Sequence, residues 1–139
     1  MNNMRSIASI ASIVLGVVLI IGGVATWVVV SSTLSDQRIT TPDDACLPGR
    51  TVSGPFTAYC QAQIIDEHTQ ESTGGATYAE LDRDDPLRQV AMNSAFLQAS
   101  LFTSVVAFGV AAMAAAMGLL FILIGLGMRD VERHVVERV

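Results

Sequence analysis

The two cysteines of this 139-residue chain are the residues whose type could most readily do chemistry. Cys46 and Cys60 lie in the stretch "DDACLPGRTVSGPFTAYC", residues 43–60. A thiol pair can bind a metal, exchange electrons or form a structural disulfide. The spacing is not the C-x-x-C of redox and metal sites, and a zinc ion would need two further ligands that are not evident nearby. A structural disulfide and two inert thiols therefore remain as interpretations.

The histidines are the other candidates, and the sequence has two of them, His68 and His134. His68 ends the run "DEH", residues 66–68. On a helix, side chains one and two positions apart point in different directions, so this run cannot by itself surround a metal. The sequence also has no phosphate-binding loop, nucleophile elbow or H-E-x-x-H motif. We expect no catalytic, cofactor-binding or metal-binding residues, and no enzyme activity.

Two charge-free apolar blocks dominate the rest of the chain. The first is "SIASIASIVLGVVLIIGGVATWVVV", residues 6–30, and the second covers residues 101–128. Both exceed the roughly 18 residues that identify a membrane-spanning helix. Because a helix rises about 1.5 Å per residue, each is long enough to cross the ~30 Å hydrocarbon core. The pattern predicts an all-α membrane protein, a two-span transmembrane helical hairpin with a small, partly helical extracytoplasmic segment.

The predicted organisation follows these blocks along the chain. Residues 1–5 form an N-terminal cytoplasmic tail, 6–31 transmembrane helix 1, 32–85 the extracytoplasmic segment, 86–128 a long helix that contains transmembrane helix 2 at about 101–128, and 129–139 a cytoplasmic helical tail. A cleaved signal peptide is the alternative for the first block. Its apolar core is longer than the usual 7–15 residues, which favours an uncleaved signal anchor.

The orientation depends on arginines, since the chain has no lysine. Four arginines lie at the ends and four in the middle, so a count of basic residues is tied. Arg5 precedes the first block, and Arg129 and Arg133 directly follow the second, which favours cytoplasmic termini and extracytoplasmic residues 32–94. We therefore predict a multi-pass protein of the inner membrane. The inverted orientation stays open, and it would place the cysteines in a reducing compartment.

In the predicted orientation the cysteines face an oxidising compartment, where a Cys46–Cys60 disulfide is the expected state. It would tie a turn-rich segment to a helix. The disulfide would close a loop of about 15 residues, which stabilises a fold by about 3 kcal/mol in the chain-entropy model.

Local signals predict where two helices begin. One lies between the apolar blocks, and the other is the long helix that contains the second block. Pro55 suits the first position of a helix whose apolar face contains Phe56, Tyr59, Cys60 and Ile64. Gly74 and Gly75 interrupt that pattern. Asp85 followed by Pro86 has the pattern of an N-cap and first helical residue, and it predicts where the long second helix begins. We expect the Phe56, Tyr59 and Ile64 face to pack against this long helix.

Small residues at intervals of four predict close helix packing within the membrane, where packing rather than the hydrophobic effect drives association. The predicted packing residues are Ala8, Ser12, Gly16, Ala107, Ala111, Ala115, Ala114 and Gly118. Such faces can join the two spans to each other and to other membrane proteins. The central segment contains ten acidic residues and four arginines, which excludes binding to nucleic acid and to anionic lipid headgroups.

Three stretches carry a resemblance to a known family: residues 4–40, "GPFTAYCQAQIIDEH" and "TYAELDRDDPLRQVAMNSAFLQASLFTSVVAFGVAAM". They resemble a family of small two-span membrane proteins of actinobacteria, without an established activity, whose members are often labelled aromatic ring-opening dioxygenases. That label implies a non-haem iron site with several His and Glu ligands. One histidine on each side of the membrane does not supply such a site, and the cysteine pair departs from the family pattern.

These observations favour a non-catalytic accessory or scaffold subunit of an inner-membrane complex. Small subunits of similar size and topology occur in respiratory cytochrome bc–oxidase supercomplexes, which makes such an assembly the candidate. The expected partners are the lipid bilayer and other membrane subunits. The alternatives are a stand-alone or homo-oligomeric envelope protein with an acidic binding cap, and an enzyme of the dioxygenase type.

Overall fold

The computed structural model describes residues 2–136 of the chain, and the side chains of residues 4–130 among them. It contains helices α1 (Asn2–Asp36), α2 (Pro55–Thr73) and α3 (Pro86–Val136). Within the described residues, the only β-type pairing is an isolated antiparallel bridge between Thr40 and Thr51. The predicted all-helical class is confirmed. Two helical segments, Met4–Asp36 and Pro86–Asp130, are long and apolar enough to cross a membrane.

The chain forms two compact units to which α1 and α3 both contribute. The helix-pair unit comprises Met1–Val28 and Val110–Val139, and the central unit comprises Val29–Gly109. The helix-pair unit contains the facing parts of the two long helices. The central unit contains α2, both loops and the adjoining ends of α1 and α3.

Helix α1 continues past residue 31, the predicted end of the first span, to Asp36. Hydroxyl groups accompany this extension without breaking the helix. Thr33 Oγ1 donates to the carbonyl oxygen of Val29 at 2.8 Å, and Ser35 Oγ donates to that of Ser31 at 2.9 Å. Both hydroxyls bond to carbonyls one turn earlier and take no backbone N–H group from the helix, so its backbone hydrogen bonds stay in place.

Helix α3 begins at Pro86, the residue that the Asp85–Pro86 pair predicts. Asp85 Oδ1 accepts a hydrogen bond from the backbone N–H of Leu87 at 2.8 Å, which satisfies one of the free donors at the helix start. The helix then runs 51 residues without a break, so the predicted C-terminal tail is continuous with it as far as Val136. The remainder of that tail, residues 137–139, and Met1 of the N-terminal tail lie outside the described residues.

Helix α2 begins at Pro55 and ends at Thr73. At its start, Thr57 Oγ1 accepts a hydrogen bond from the backbone N–H of Gly54 at 3.1 Å. At its end, Gly74 adopts the left-handed conformation with φ 64°, which glycine accepts without steric cost. The predicted break at this glycine pair is therefore the end of the helix.

The core of the central unit draws one or two side chains from each of its three helices and from the loop before α2. Its buried members are Leu34, Val52, Ala58, Ala62, Leu101 and Phe108. Two of these are alanines of α2, so that helix approaches its neighbours closely at these positions. The hydroxyls of Thr69 in α2 and Ser94 in α3 also hydrogen-bond to each other.

The buried face of α2 differs from the predicted one. Cys60 and Ile64 are buried as expected, whereas Phe56 is 77% exposed and Tyr59 is 44% exposed. Ala58 and Ala62 take their places in the core, because a helix that packs tightly against its neighbours needs small side chains at the contact.

Candidate functional site

In the helix-pair unit, α1 and α3 run antiparallel and touch through small residues. A Cβ atom added to Gly16 would lie 2.5 Å from the carbonyl oxygen of Gly118, and the reverse substitution meets Gly16 at the same distance. One added to Gly23 would lie 2.6 Å from the carbonyl oxygen of Ala111. The two backbones are therefore in direct contact at these positions, and no side chain larger than hydrogen fits without a shift.

Serine hydroxyls near the start of α1 add hydrogen bonds between the two helices. Ser9 Oγ donates to the carbonyl oxygen of Gly125 at 2.7 Å, and Ser12 Oγ donates to that of Phe121 at 2.7 Å. Ser9 is only 1% exposed. Because both hydroxyls are satisfied by backbone carbonyls of the partner helix, their burial in an apolar environment carries no unpaired polar group.

The buried small residues repeat every seven positions on each helix. We call them the glycine seam: Ser9, Gly16 and Gly23 on α1, with Ala111, Gly118 and Gly125 on α3. At about 100° per residue, a step of seven residues returns to within about 20° of the same face, whereas a step of four drifts by about 40°. A row of residues four apart therefore leaves the contact after one or two steps.

This geometry accounts for where the predicted packing residues lie. Gly16, Ala111 and Gly118 are buried in the seam, and Ser12 and Ala115 contact it from the side. Ala114 is half-buried, as is Ala107, which belongs to the central unit. Ala8 is exposed, and its neighbour Ser9 occupies the buried position instead.

The central unit holds Cys46 and Cys60 at disulfide-bonding distance, with their Cα atoms 5.4 Å apart. The pair joins the loop after α1 to the buried face of α2, where Cys60 is 5% exposed. Thr41 organises the same loop, since its Oγ1 accepts a hydrogen bond from the backbone N–H of Arg50 at 2.9 Å. Val52, three residues before α2, is fully buried in the core. The loop is thus attached to the unit at several points.

A charged pair provides a further attachment between this loop and α2. His68 Nε2 lies 2.6 Å from Asp44 Oδ2, and both side chains are about half exposed. The hydrogen bond to Asp44 holds the pKa of His68 above its usual 6.5, and the hydrogen bond to His68 holds the pKa of Asp44 below its usual 3.8. The "DEH" run therefore contributes its histidine to a loop contact.

The pKa shifts predict a pH-dependent loop contact. The raised pKa of His68 means that its contribution is present below about pH 6.5 and is lost as the pH rises through the raised value. The lowered pKa of Asp44 means that its contribution is present above about pH 4 and is lost as the pH falls through the lowered value. In a His134→Gln background, NMR titration should give His68 a pKa above 6.5, and Asp44→Asn should return it to the ordinary range. An unchanged pKa in the Asp44→Asn protein would contradict the pairing.

The clefts on the central unit include two that border α2. One, of about 430 Å³, adjoins the disulfide and is lined by Asp44, Ala45, Cys46, Cys60, Gln63, Ile64, Asp66, Glu67 and Gln70. The other, of about 520 Å³, lies between the end of α2, the following loop and α3. Among the described residues, no three His, Cys, Asp or Glu side chains are grouped so as to hold a metal ion.

Several residues of these sites escaped prediction from the sequence. Ser9, Gly23 and Gly125 could have been found from their seven-residue spacing to the predicted Gly16 and Gly118. The Asp44–His68 pair had no such signal, because its residues are 24 positions apart and meet only through the fold. Comparisons with protein-family models, curated proteins and solved structures give no significant match to this chain.

Proposed function

We propose that this protein is a non-catalytic accessory or scaffold subunit of an inner-membrane complex. In this proposal α1 and α3 cross the bilayer, both termini are cytoplasmic and the central unit is extracytoplasmic. The two long helices have the length and apolar composition for this role. The family resemblance supports it through small size and two-span topology.

The close approach of the two helices at the glycine seam is the observation that carries the proposal. At Gly16 and Gly118 the backbones are too close for even a methyl group between them. A helix pair closed in this way has no room along the seam for a cofactor or a hydrated path. Its hydroxyls at Ser9 and Ser12 are committed to backbone carbonyls. The chain is therefore left to act through its outer surfaces.

Those outer surfaces are strongly apolar along both helices. Exposed large residues include Val14, Val18, Ile21, Val106, Met113, Leu120 and Leu123. A surface of this kind suits lipid tails and the helices of neighbouring subunits. The central unit, with its disulfide-joined loop, would add a rigid and acidic external face to the same contacts.

The proposal is tested by purifying the affinity-tagged chain from its native membrane in mild detergent and identifying bound proteins by mass spectrometry. We expect a large complex in fixed ratio, and a respiratory cytochrome bc–oxidase assembly is the first to look for. A tagged Gly16→Leu chain, whose helix pair cannot close, serves as the control and should lose the complex. Recovery of the parent chain only as a free monomer contradicts the proposal.

A homo-oligomer with an acidic external cap is the competing function. The excess of ten acidic residues over four arginines in the central segment is the observation behind it, because a net negative cap would attract a cationic ligand. Crosslinks between copies, with no other protein in fixed ratio, would select this alternative over the accessory subunit.

A further inference from the structure

Two exposed aromatic side chains lie one turn apart at the start of α2, and the second of them contacts an exposed aromatic side chain of α3. We call Phe56, Tyr59 and Phe102 the aromatic patch. Phe56 is 77% exposed, and the other two are 40% or more exposed. The rings of Tyr59 and Phe102 meet edge to face with their centroids 6.1 Å apart. An exposed aromatic patch of this kind indicates contact with an apolar phase rather than with bulk water.

Two contacts fix the position of the patch along the axes of α1 and α3. They are the ring contact between Tyr59 and Phe102 and the hydrogen bond between Ser31 and Ser53. Phe102 is the second residue of the apolar block of α3, residues 101–128, which the more polar residues 93–100 precede. On α1, Ser31 directly follows the other apolar block, residues 6–30, and its Oγ donates to the carbonyl oxygen of Ser53 at 2.7 Å. Ser53 lies two residues before the start of α2. Both contacts therefore bring the first turn of α2 to the level where the apolar blocks end.

The rest of α2 extends away from the apolar blocks. Helix α2 runs antiparallel to α3, since Tyr59 contacts Phe102 whereas Thr69 bonds to Ser94. Ser94 is eight residues before Phe102, a distance of about 12 Å along the helix. The polar interface on each side of a bilayer is only about 5–8 Å thick. Glu71, two residues past Thr69 on α2, thus lies beyond it.

The polar end of Tyr59 fits the same arrangement. Its hydroxyl accepts a hydrogen bond from Gln63 Nε2 at 3.2 Å, one turn further along α2 and away from the apolar blocks. Its ring faces Phe102. Aromatic side chains with an apolar body and a polar tip are typical of the membrane–water interface.

We propose that the aromatic patch is inserted in the membrane–water interface and contacts the boundary between lipid headgroups and acyl chains. This inference rests on the proposed membrane-spanning role of α1 and α3. The first turn of α2 then acts as an interfacial foot, which holds the central unit against the bilayer. The chemistry is that of neutral apolar insertion, because no basic side chain belongs to the patch.

The test uses the full chain in phosphatidylcholine vesicles with bromine at defined acyl positions, which quenches tryptophan by contact. Trp27 is replaced by Phe, and a single probe is introduced as Phe56→Trp. The matched control carries Glu71→Trp instead, 15 residues further along α2 and about 22 Å from Phe56. We expect F56W to be quenched several-fold more by shallow than by deep bromines and to be shielded from aqueous iodide. E71W should be quenched by aqueous iodide and not by bromine at any acyl position.

Each result decides the inference separately from the proposed function. Flotation with the vesicles, together with an F56W probe quenched by iodide and not by bromolipid, overturns the interfacial foot and leaves the accessory role intact. Shielding that appears only at high protein-to-lipid ratio, without bromine quenching, assigns the patch to a second copy and also overturns the foot. Failure to float removes the spanning role itself. If the Trp27→Phe background does not fold, F56W is read in the parent chain after subtraction of the Trp27 signal.

Discussion

Replacement of Gly16 or Gly23 by alanine is expected to destabilise the helix pair by about 1–3 kcal/mol, the usual cost of overpacking a closed contact. The added Cβ would lie 2.5 Å from the carbonyl oxygen of Gly118 in the first case and 2.6 Å from that of Ala111 in the second. Both obstacles are backbone atoms, which cannot rotate away as a side chain can. The free energy of unfolding should be measured by titration of the detergent-solubilised protein with SDS, followed by circular dichroism.

Gly22 provides the matched control for this experiment. It precedes Gly23 on the same helix, is exposed, and has no atom within 4 Å of an added Cβ. Alanine has the higher helix propensity, so Gly22→Ala should leave the stability unchanged or raise it slightly. If Gly22→Ala and Gly23→Ala lower the free energy of unfolding equally, the loss comes from the glycine backbone and not from the seam.

Removal of the disulfide should lower the free energy of unfolding of the central unit by about 3 kcal/mol, the value expected for a closed loop of about 15 residues. Cys46 and Cys60 are 14 positions apart, and their link spans the loop that leads into α2. In a Cys46→Ala, Cys60→Ala protein, this loop keeps its contacts at Thr41 and Val52 but loses its covalent attachment. Limited proteolysis, with cleavage sites identified by mass spectrometry, should show faster cutting within residues 37–54 and unchanged cutting elsewhere.

Reduction of the parent protein supplies the comparison for the double alanine variant. Both treatments break the same link, so they should give the same cleavage pattern, and reduction should not change the variant further. In intact cells, a membrane-impermeant thiol reagent should label Cys46 and Cys60 only after reduction. Labelling without reductant would contradict the disulfide, and absence of labelling in both conditions would favour the inverted orientation.

Much of the fold follows from local patterns in the sequence. Charge-free blocks of 25 or more residues have few alternatives to long helices, because their backbone groups can be satisfied within the segment. Pro55, the Gly74–Gly75 pair and Asp85–Pro86 determine helix ends through local conformational preference, so the observed ends of α2 and the start of α3 agree with them. None of these features depends on a distant part of the chain.

The register between the two long helices does not follow from local patterns in the sequence. Several rows of small residues are available on each helix, and their spacing alone does not select one. The antiparallel pairing selects the row with a period of seven, which brings Ser9 opposite Gly125 and Gly16 opposite Gly118. Ala8 belongs to a row with a period of four and therefore drifts out of the contact.

The same division holds in the central unit. The amino-acid sequence determines that α2 forms, since its proline start and glycine end are local signals, and it places two cysteines near a turn and a helix. Which face of α2 is buried depends on how closely it approaches α1 and α3. Small Ala58 and Ala62 allow that approach, and Phe56 is left exposed. Local preference therefore decides where helices begin and end, whereas tertiary packing decides which residues meet, because contacts between distant segments depend on their relative position in space.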